Sequence, residues 1–305
     1  MAPTELVELG LQTAVLPPGQ LSCGVRHERG LSGICDPTDG QLRETFLNQT
    51  TVGWFGEFPW LASVRGTPAT RTDSPLPLCG GALVHPIAVL TSAACYQLAA
   101  QRSYRVTVRL AEFRVTTDVD FGRPASEHRI ARAVYHPDFQ LTGGNEVVND
   151  VVLLLLERPA ALDGAVGLIC LPDGSLSADQ EAASWKRGDC VLHGWSNPRK
   201  DALDAVLHEP VHFLSTSTCQ AALRRTRSLH PSFACGQSVA AECWADVGSV
   251  MACRDPRDRS RWALAGMVPW SHQHSPCGQV SRYTNIGRYS GWIKDTIAAH
   301  LSAQT

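Results

Sequence analysis

Residues able to do chemistry are few in this chain and unevenly grouped. Asp150, following Asn149 beside the apolar run Val151 to Leu156, is a carboxylate that could orient a base, cap a backbone or be buried as a structural group. The span Cys243-Trp-Ala-Asp-Val-Gly-Ser-Val-Met-Ala-Cys253 places Asp246 and Ser249 between two cysteines. A hydroxyl attacks an acyl carbon only when a positioned base takes its proton. No histidine lies in that span. His272 and His274, in a loop ending at Cys277, could ligate a metal, but no neighbouring carboxylate or cysteine spacing completes a site, so they read as surface groups. Arg224, Arg225 and Arg227 form one basic group and Arg254, Arg257, Arg259 and Arg261 another. Either could meet an anionic glycan or a partner; Asp255 and Asp258 interrupt the second, and solvated loop charge is the default. His193, before Gly194-Trp195 at the end of an apolar strand, reads as a satisfied core histidine.

The chain has 305 residues, 44% hydrophobic and 18% charged, enough to bury one or two ordinary cores and too apolar for disorder. A net charge of -2 gives no general drive toward nucleic acid. Eleven cysteines without paired CxxC spacing point to cystines and an oxidising, extracellular compartment rather than to zinc modules. Met1 to Leu21 contain Glu5 and Glu8 and no sustained apolar run, so no secretory signal is written there; an incomplete amino terminus is expected. No stretch of 18 apolar residues supports a membrane span.

The elements that must position these groups are mostly strands. Residues 1–46, with Pro17-Pro18-Gly19, Cys23 and Cys35, read as an extended tail or linker. Asn48-Gln49-Thr50 is a glycosylation acceptor triplet. From Phe58 onward, short β-rich runs separated by turn residues cover Leu61 to Val64, Ala82 to Leu90, Val106 to Phe113, Val151 to Leu156, Val191 to Trp195, Val211 to Leu214 and Leu264 to Val268. Such spacing implies a sandwich or barrel. Thr218 to Arg227 reads as a short polar helix. Arg288 to Leu301 places Tyr289, Ile293, Ile297 and Leu301 on one helical face.

Several local signatures occur in one order: Gly56-Glu57-Phe58-Pro59-Trp60, Cys79-Gly80-Gly81-Ala82-Leu83, Leu90-Thr91-Ser92-Ala93-Ala94-Cys95, Asn149-Asp150-Val151-Val152-Leu153-Leu154, Ile169-Cys170-Leu171-Pro172 and Gly194-Trp195. From Leu47 onward the chain resembles a chymotrypsin-like serine protease domain. Thr218-Cys219-Gln220 through Cys235 narrows the likeness to arthropod clip-domain serine protease homologues, with the clip module absent from this chain. The resemblance implies an all-β fold of two six-stranded antiparallel β-barrels over residues 47–303, split near residue 165 and closed by a carboxy-terminal helix.

Carried over residue by residue, the likeness puts the family's catalytic histidine at Ala94, its aspartate at Asp150 and its serine at Val247. Valine cannot attack and alanine cannot take a proton. Ala245 falls where the oxyanion-hole glycine would be, Ser249 and Val250 replace the glycine and proline that follow, and Ala241 falls at the base of the specificity pocket. The pocket wall reads Pro269-Trp270-Ser271 in place of a Ser-Trp-Gly type. The activation terminus would fall near Leu47, where Thr45-Phe46 precede and no basic residue offers a cleavage point. Asp246, the family partner of that terminus, is therefore expected to be solvated or neutralised locally.

By the same resemblance Cys79 pairs with Cys95, Cys190 with Cys253, Cys219 with Cys235, Cys243 with Cys277 and Cys23 with Cys170, leaving Cys35 odd. The function implied is that of a secreted, non-catalytic homologue without metal or cofactor. It would bind extracellular proteases or zymogens as a cofactor or decoy in an innate-immune cascade of the prophenoloxidase type. Two other readings compete with it: a protease using Ser249 as a non-standard nucleophile, and a glycosaminoglycan-binding or lectin-like module using the arginine groups.

Overall fold

The computed structural model describes residues 22–31, 52–69, 75–142, 146–186, 188–195, 204–223, 228–238, 245–270 and 280–304. The first barrel consists of Leu61–Pro68 (β1), Leu76–His85 (β2), Ala88–Thr91 (β3), Tyr104–Leu110 (β4), Ser126–Tyr135 (β7) and Val152–Leu156 (β10), closed in the order β1-β2-β3-β10-β7-β4. Val119–Asp120 (β5) and Arg123–Pro124 (β6) form a small ribbon, as do Gln140–Leu141 (β8) and Val147–Val148 (β9). The second barrel closes in the order β11-β12-β13-β16-β15-β14, from Cys190–Gly194 (β11), Leu207–Leu214 (β12), Phe233–Ser238 (β13), Val250–Arg254 (β14), Trp262–Met267 (β15) and Val280–Asn285 (β16). Every barrel pairing is antiparallel. The double barrel implied by the resemblance is the fold found.

The apolar runs explain where the core sits. In β10, Val152, Leu154 and Leu156 fill the first barrel with Val64, Leu83 and Val108. Leu153 and Leu155 point the other way, into a cluster with Trp60, Leu90, Val250, Leu264 and Tyr289. A strand buried on both faces must be apolar at every position, which is why this run does not alternate. Leu192, Val211, Phe213, Met251 and Tyr283 fill the second barrel.

Four segments differ from the sequence expectation. Ala82 to Leu90 is two strands, β2 and β3, because Pro86-Ile87 make a turn between them. Ala93–Gln101 is a helix (α1) capped by Ser92, whose side chain accepts from the Cys95 N–H. The polar helix is Thr216–Ala222 (α3), starting earlier than expected because Ser215 supplies the cap; residues 224–227 lie outside the described residues. At the carboxy terminus a 3-10 turn, Ile286–Tyr289, precedes the helix Ser290–Ser302 (α4). Ile293 and Ile297 are buried there, but Leu301 is 40% exposed, since the helix outruns the barrel that its stripe packs on. Ala178–Ser184 (α2), between the barrels, carries a capping box from Ser177 and Gln180.

Residues 22–31 lie against the body. Cys23 is joined to Cys170, Gly24 donates to Leu168 O at 2.6 Å, and Trp262 donates to Gly24 O at 2.9 Å. Gly24 has φ +73 and a Cβ there would collide with the Trp262 backbone, so glycine is required. Arg26 reaches the buried Glu57 through Nε at 3.0 Å and lies over the rings of Phe58 and Trp262. Three further disulfides, Cys79–Cys95, Cys190–Cys253 and Cys219–Cys235, brace the barrels. Cys35, Asn48, Ala241, Cys243, Cys277, His272, His274 and the region of Leu47 lie outside the described residues.

Candidate functional site

Asn149 sets the aim of Asp150. It sits at φ 52, a left-handed conformation that asparagine tolerates better than most residues. Its amide donates to Asp138 O at 2.7 Å and accepts from the Tyr289 hydroxyl at 3.0 Å, so both ends of the side chain hold the turn. The carboxylate of the next residue is thereby driven inward, where it is 1% exposed. Asp150 Oδ1 accepts the Ala94 N–H at 2.8 Å, Oδ2 accepts the Trp270 N–H at 2.8 Å, and Ser92 Oγ donates to Oδ2 at 2.8 Å. Ser92 thus both caps α1 and pins the carboxylate, which faces the electropositive start of that helix. Burial pushes the Asp150 carboxyl above its ordinary range, and the backbone and hydroxyl donors pull it partly back.

Position 247 meets the same short segment from the second barrel. Val247 is 9% exposed and packs in one apolar cluster with Cys79, Ala93 and Cys95, with the partly buried Trp270 against it. Its carbonyl accepts from Gly80 N at 2.8 Å. Its N–H donates to Asp246 Oδ1, also at 2.8 Å. Gly248, at φ +82, lies so close to Gly80 that a side chain at 248 would overlap its backbone carbonyl. The loop path is therefore fixed by contact between the barrels. Ser249 is 2% exposed, and its Oγ lies 2.6 Å from where a Cβ on Gly194 would stand. Asp246 and Ala245 are half-buried at the rim.

The structure thus brings Ala94, Asp150 and Val247 into one neighbourhood with Ala245 beside it. Ser92 and Asn149 were not legible from chemistry-bearing types alone. The signals available were the serine just before an Ala-Ala helix start and the asparagine just before the aspartate.

The other candidates fall elsewhere. His193 is fully buried, stacked on Phe58 at 4.0 Å; its Nε2 accepts from Trp60 Nε1 at 2.8 Å, which leaves the proton on Nδ1 to donate to Val191 O at 3.2 Å. Burial holds its pKa well below the ordinary value, so it stays neutral. In the second basic group each arginine has a carboxylate partner: Arg254 with Glu28, Arg257 with Asp173, Arg259 with Asp189 and Arg261 with Asp258. Arg224, Arg225 and Arg227 lie outside the described residues. Among the described residues no group of three or more His, Cys, Asp or Glu is placed to hold a metal, and no helix is long and apolar enough to cross a membrane.

Comparison with known proteins places this architecture. Phenoloxidase-activating factor 2 of Galleria mellonella is 28% identical over 297 residues, spanning 90% of this chain and 89% of its own. Inactive CLIP domain-containing serine protease A8 of Anopheles gambiae is 26% identical over 283 residues, 88% of this chain and 72% of its own. Among solved structures, the Drosophila Grass clip serine protease of the Toll pathway has a TM-score of 0.68 at 22% identity, over 92% of this chain and 76% of that one, a likeness of fold. The family model described as Trypsin matches residues 50–293, and with the two closed barrels in place the chain belongs to the trypsin family.

Proposed function

We propose that this chain is a non-catalytic member of its family that works by binding, as a cofactor or decoy for extracellular proteases or their zymogens in an immune protease cascade. In this reading residues 47–303 form the degenerate protease domain and residues 1–46 a linker. Ala94, Asp150 and Val247 stand at the positions of the histidine, aspartate and serine, and Ala245 at the oxyanion position. The observation that carries the reading is the hydrogen-bond shell of Asp150: its oxygens are met by Ser92, Ala94 N–H and Trp270 N–H, and no imidazole is among them. A carboxylate that orients no base cannot serve a hydroxyl nucleophile, and the residue opposite is a valine. The Ser249 alternative is disfavoured by its burial against Gly194.

The relatives supply the rest. One is named a phenoloxidase-activating factor and another an inactive CLIP protease, both matched over most of this chain. Four disulfides among the described residues support an oxidising, extracellular setting, in which Asn48 would be a glycosylation acceptor and Cys35 a point of covalent association.

A fluorophosphonate probe tests the chemistry: folded protein should remain unlabelled while an active trypsin in the same tube is labelled. Stoichiometric labelling of the chain would overturn the reading. Cofactor action is read separately, as a change in zymogen activation rate when the chain is added to the native extracellular fluid.

A further inference from the structure

Two groups of arginines in this molecule are held in opposite ways. In the second barrel the loop Arg254 to Arg261 is neutralised by ion pairs, as described above. On the first barrel Arg102, Arg105, Arg129, Arg132 and Arg158 are exposed and make no ion pair among the described residues. The register of the sheet brings Arg105, Arg129 and Arg132 together. Thr107 of β4 stands opposite Arg129 of β7, so Arg105, two residues away on the same strand face, lies diagonally from Arg129, about 7 Å away. Arg132 is three residues from Arg129, and in a regular strand the two would face opposite ways. A bulge in β7 corrects this: Leu155 pairs with Arg132 while Leu156 pairs with Ile130, leaving residue 131 extra. Ile130 and Ala133 accordingly turn inward onto the barrel core, and Arg129 and Arg132 both face out. Arg102, ending α1, leads directly into β4, and Arg158 follows β10.

Nearby carboxylates do not quench this face. Glu127 and Asp118 are both engaged by Arg109. Glu157, whose N–H donates to Arg129 O at 3.0 Å, is exposed and pairs with none of the arginines. On this face Thr107, opposite Arg129, is buried, and the bulge residue Ala131 is exposed. Protein interfaces take most of their energy from aromatic and aliphatic anchors at a dry centre. Arg105, Arg129 and Arg132 bring no such anchor themselves, and clustered cations suit a polyelectrolyte instead. The cystines place the chain where such a polymer is a polysaccharide rather than a nucleic acid.

We infer that the outer face of the first barrel, centred on Arg105, Arg129 and Arg132, is a binding surface for a sulfated polysaccharide. This goes beyond the cascade role and does not depend on it. It also moves the basic surface away from the arginine groups that stand out in the sequence.

Heparin is the probe. The folded chain on a heparin column at pH 7 should be retained at about 0.1 M salt and elute with added salt. Arg105→Gln/Arg129→Gln/Arg132→Gln should elute near the void, and its log Kd against log salt should fall in slope by about 2 to 3, one per ion pair removed. These positions are exposed, so circular dichroism and melting should be unchanged. Arg224→Gln/Arg225→Gln/Arg227→Gln should elute like wild type. The inference is overturned if wild type is not retained, if the first variant binds like wild type, or if retention is lost with the second. Retention on immobilised polyglutamate but not on heparin would assign the face to an acidic protein segment and overturn it too.

Discussion

Asp150 and Val247 touch the same stretch, Ser92 to Cys95, from different barrels, and their surroundings differ in kind. Asp150 sits in a polar socket built from two backbone N–H groups and a cap hydroxyl, none of which depends on a partner side chain in the second barrel. Val247 sits in one apolar cluster with the Cys79–Cys95 cystine, Ala93 and Trp270. The socket is part of the scaffold, because removing the carboxylate would strand donors that the start of α1 and the backbone at Trp270, just past β15, cannot redirect. The valine niche asks only for apolar volume. In the proposed reading, a carboxylate held by the scaffold persists without its chemistry, while position 247 is constrained only in volume.

The sharpest way to break this comparison is Asp150→Ala. It leaves the Ala94 and Trp270 N–H groups and the Ser92 hydroxyl buried without an acceptor, at a cost of about 3 to 5 kcal/mol. Melting should fall by roughly 10 °C. A change within experimental error would mean that the socket is ornamental and that Asp150 is held for another reason.

Glu181 on α2 supplies a contrast of nearly the same size. It is 3% exposed and packed against Gly287, yet its Oε2 has no hydrogen-bond partner among the described residues. Burial raises its pKa from 4.5 to about 7. Because the raised value belongs to the folded state, the native protein binds more protons than the unfolded chain between those values. Stability therefore falls as pH rises from about 4.5 to 7, by about 3 kcal/mol from this group. Denaturant unfolding at a series of pH values should show the decline, and Glu181→Gln should flatten it. If stability rises through this window in wild type and is unaltered by the substitution, the pairing of donor-rich and donor-poor carboxylates fails.

How much of this was legible in the sequence depended on which side of a strand carried the signal. β10 and β11 were plain because they are buried along their length. β7, with burial alternating weakly over Ser-Glu-His-Arg-Ile-Ala-Arg-Ala-Val-Tyr, was not, since its outer face is charged and its bulge breaks the period of two. The same bulge sets the arginine face: in a regular strand Arg129 and Arg132 would face opposite ways, and only the register shift puts both outside. Conversely, Arg254 to Arg261 stood out in sequence, but their partners Glu28, Asp173 and Asp189 come from distant segments that only the fold brings close. The Asp150 position was recognisable from local words, whereas its socket needed the Trp270 backbone, 120 residues away.

The smallest effect lies at the valine. Val247→Ser puts a hydroxyl in an apolar niche and should cost about 1 to 3 kcal/mol. Combined with Ala94→His it supplies the two side-chain types that the proposed reading finds replaced, beside a carboxylate already bonded to the residue 94 backbone. Even so, no covalent labelling by a fluorophosphonate should follow. The Val247 N–H, which an oxyanion site would have to offer, is already given to Asp246 Oδ1 within the loop, and that path is locked by the contact of Gly248 with Gly80. The imidazole would enter a position where Asp150 already accepts from three donors. Labelling of the double variant above the level of the wild-type chain would show that the valine side of the cleft differs from the aspartate side in composition alone, and that the scaffold around it is still cut for catalysis.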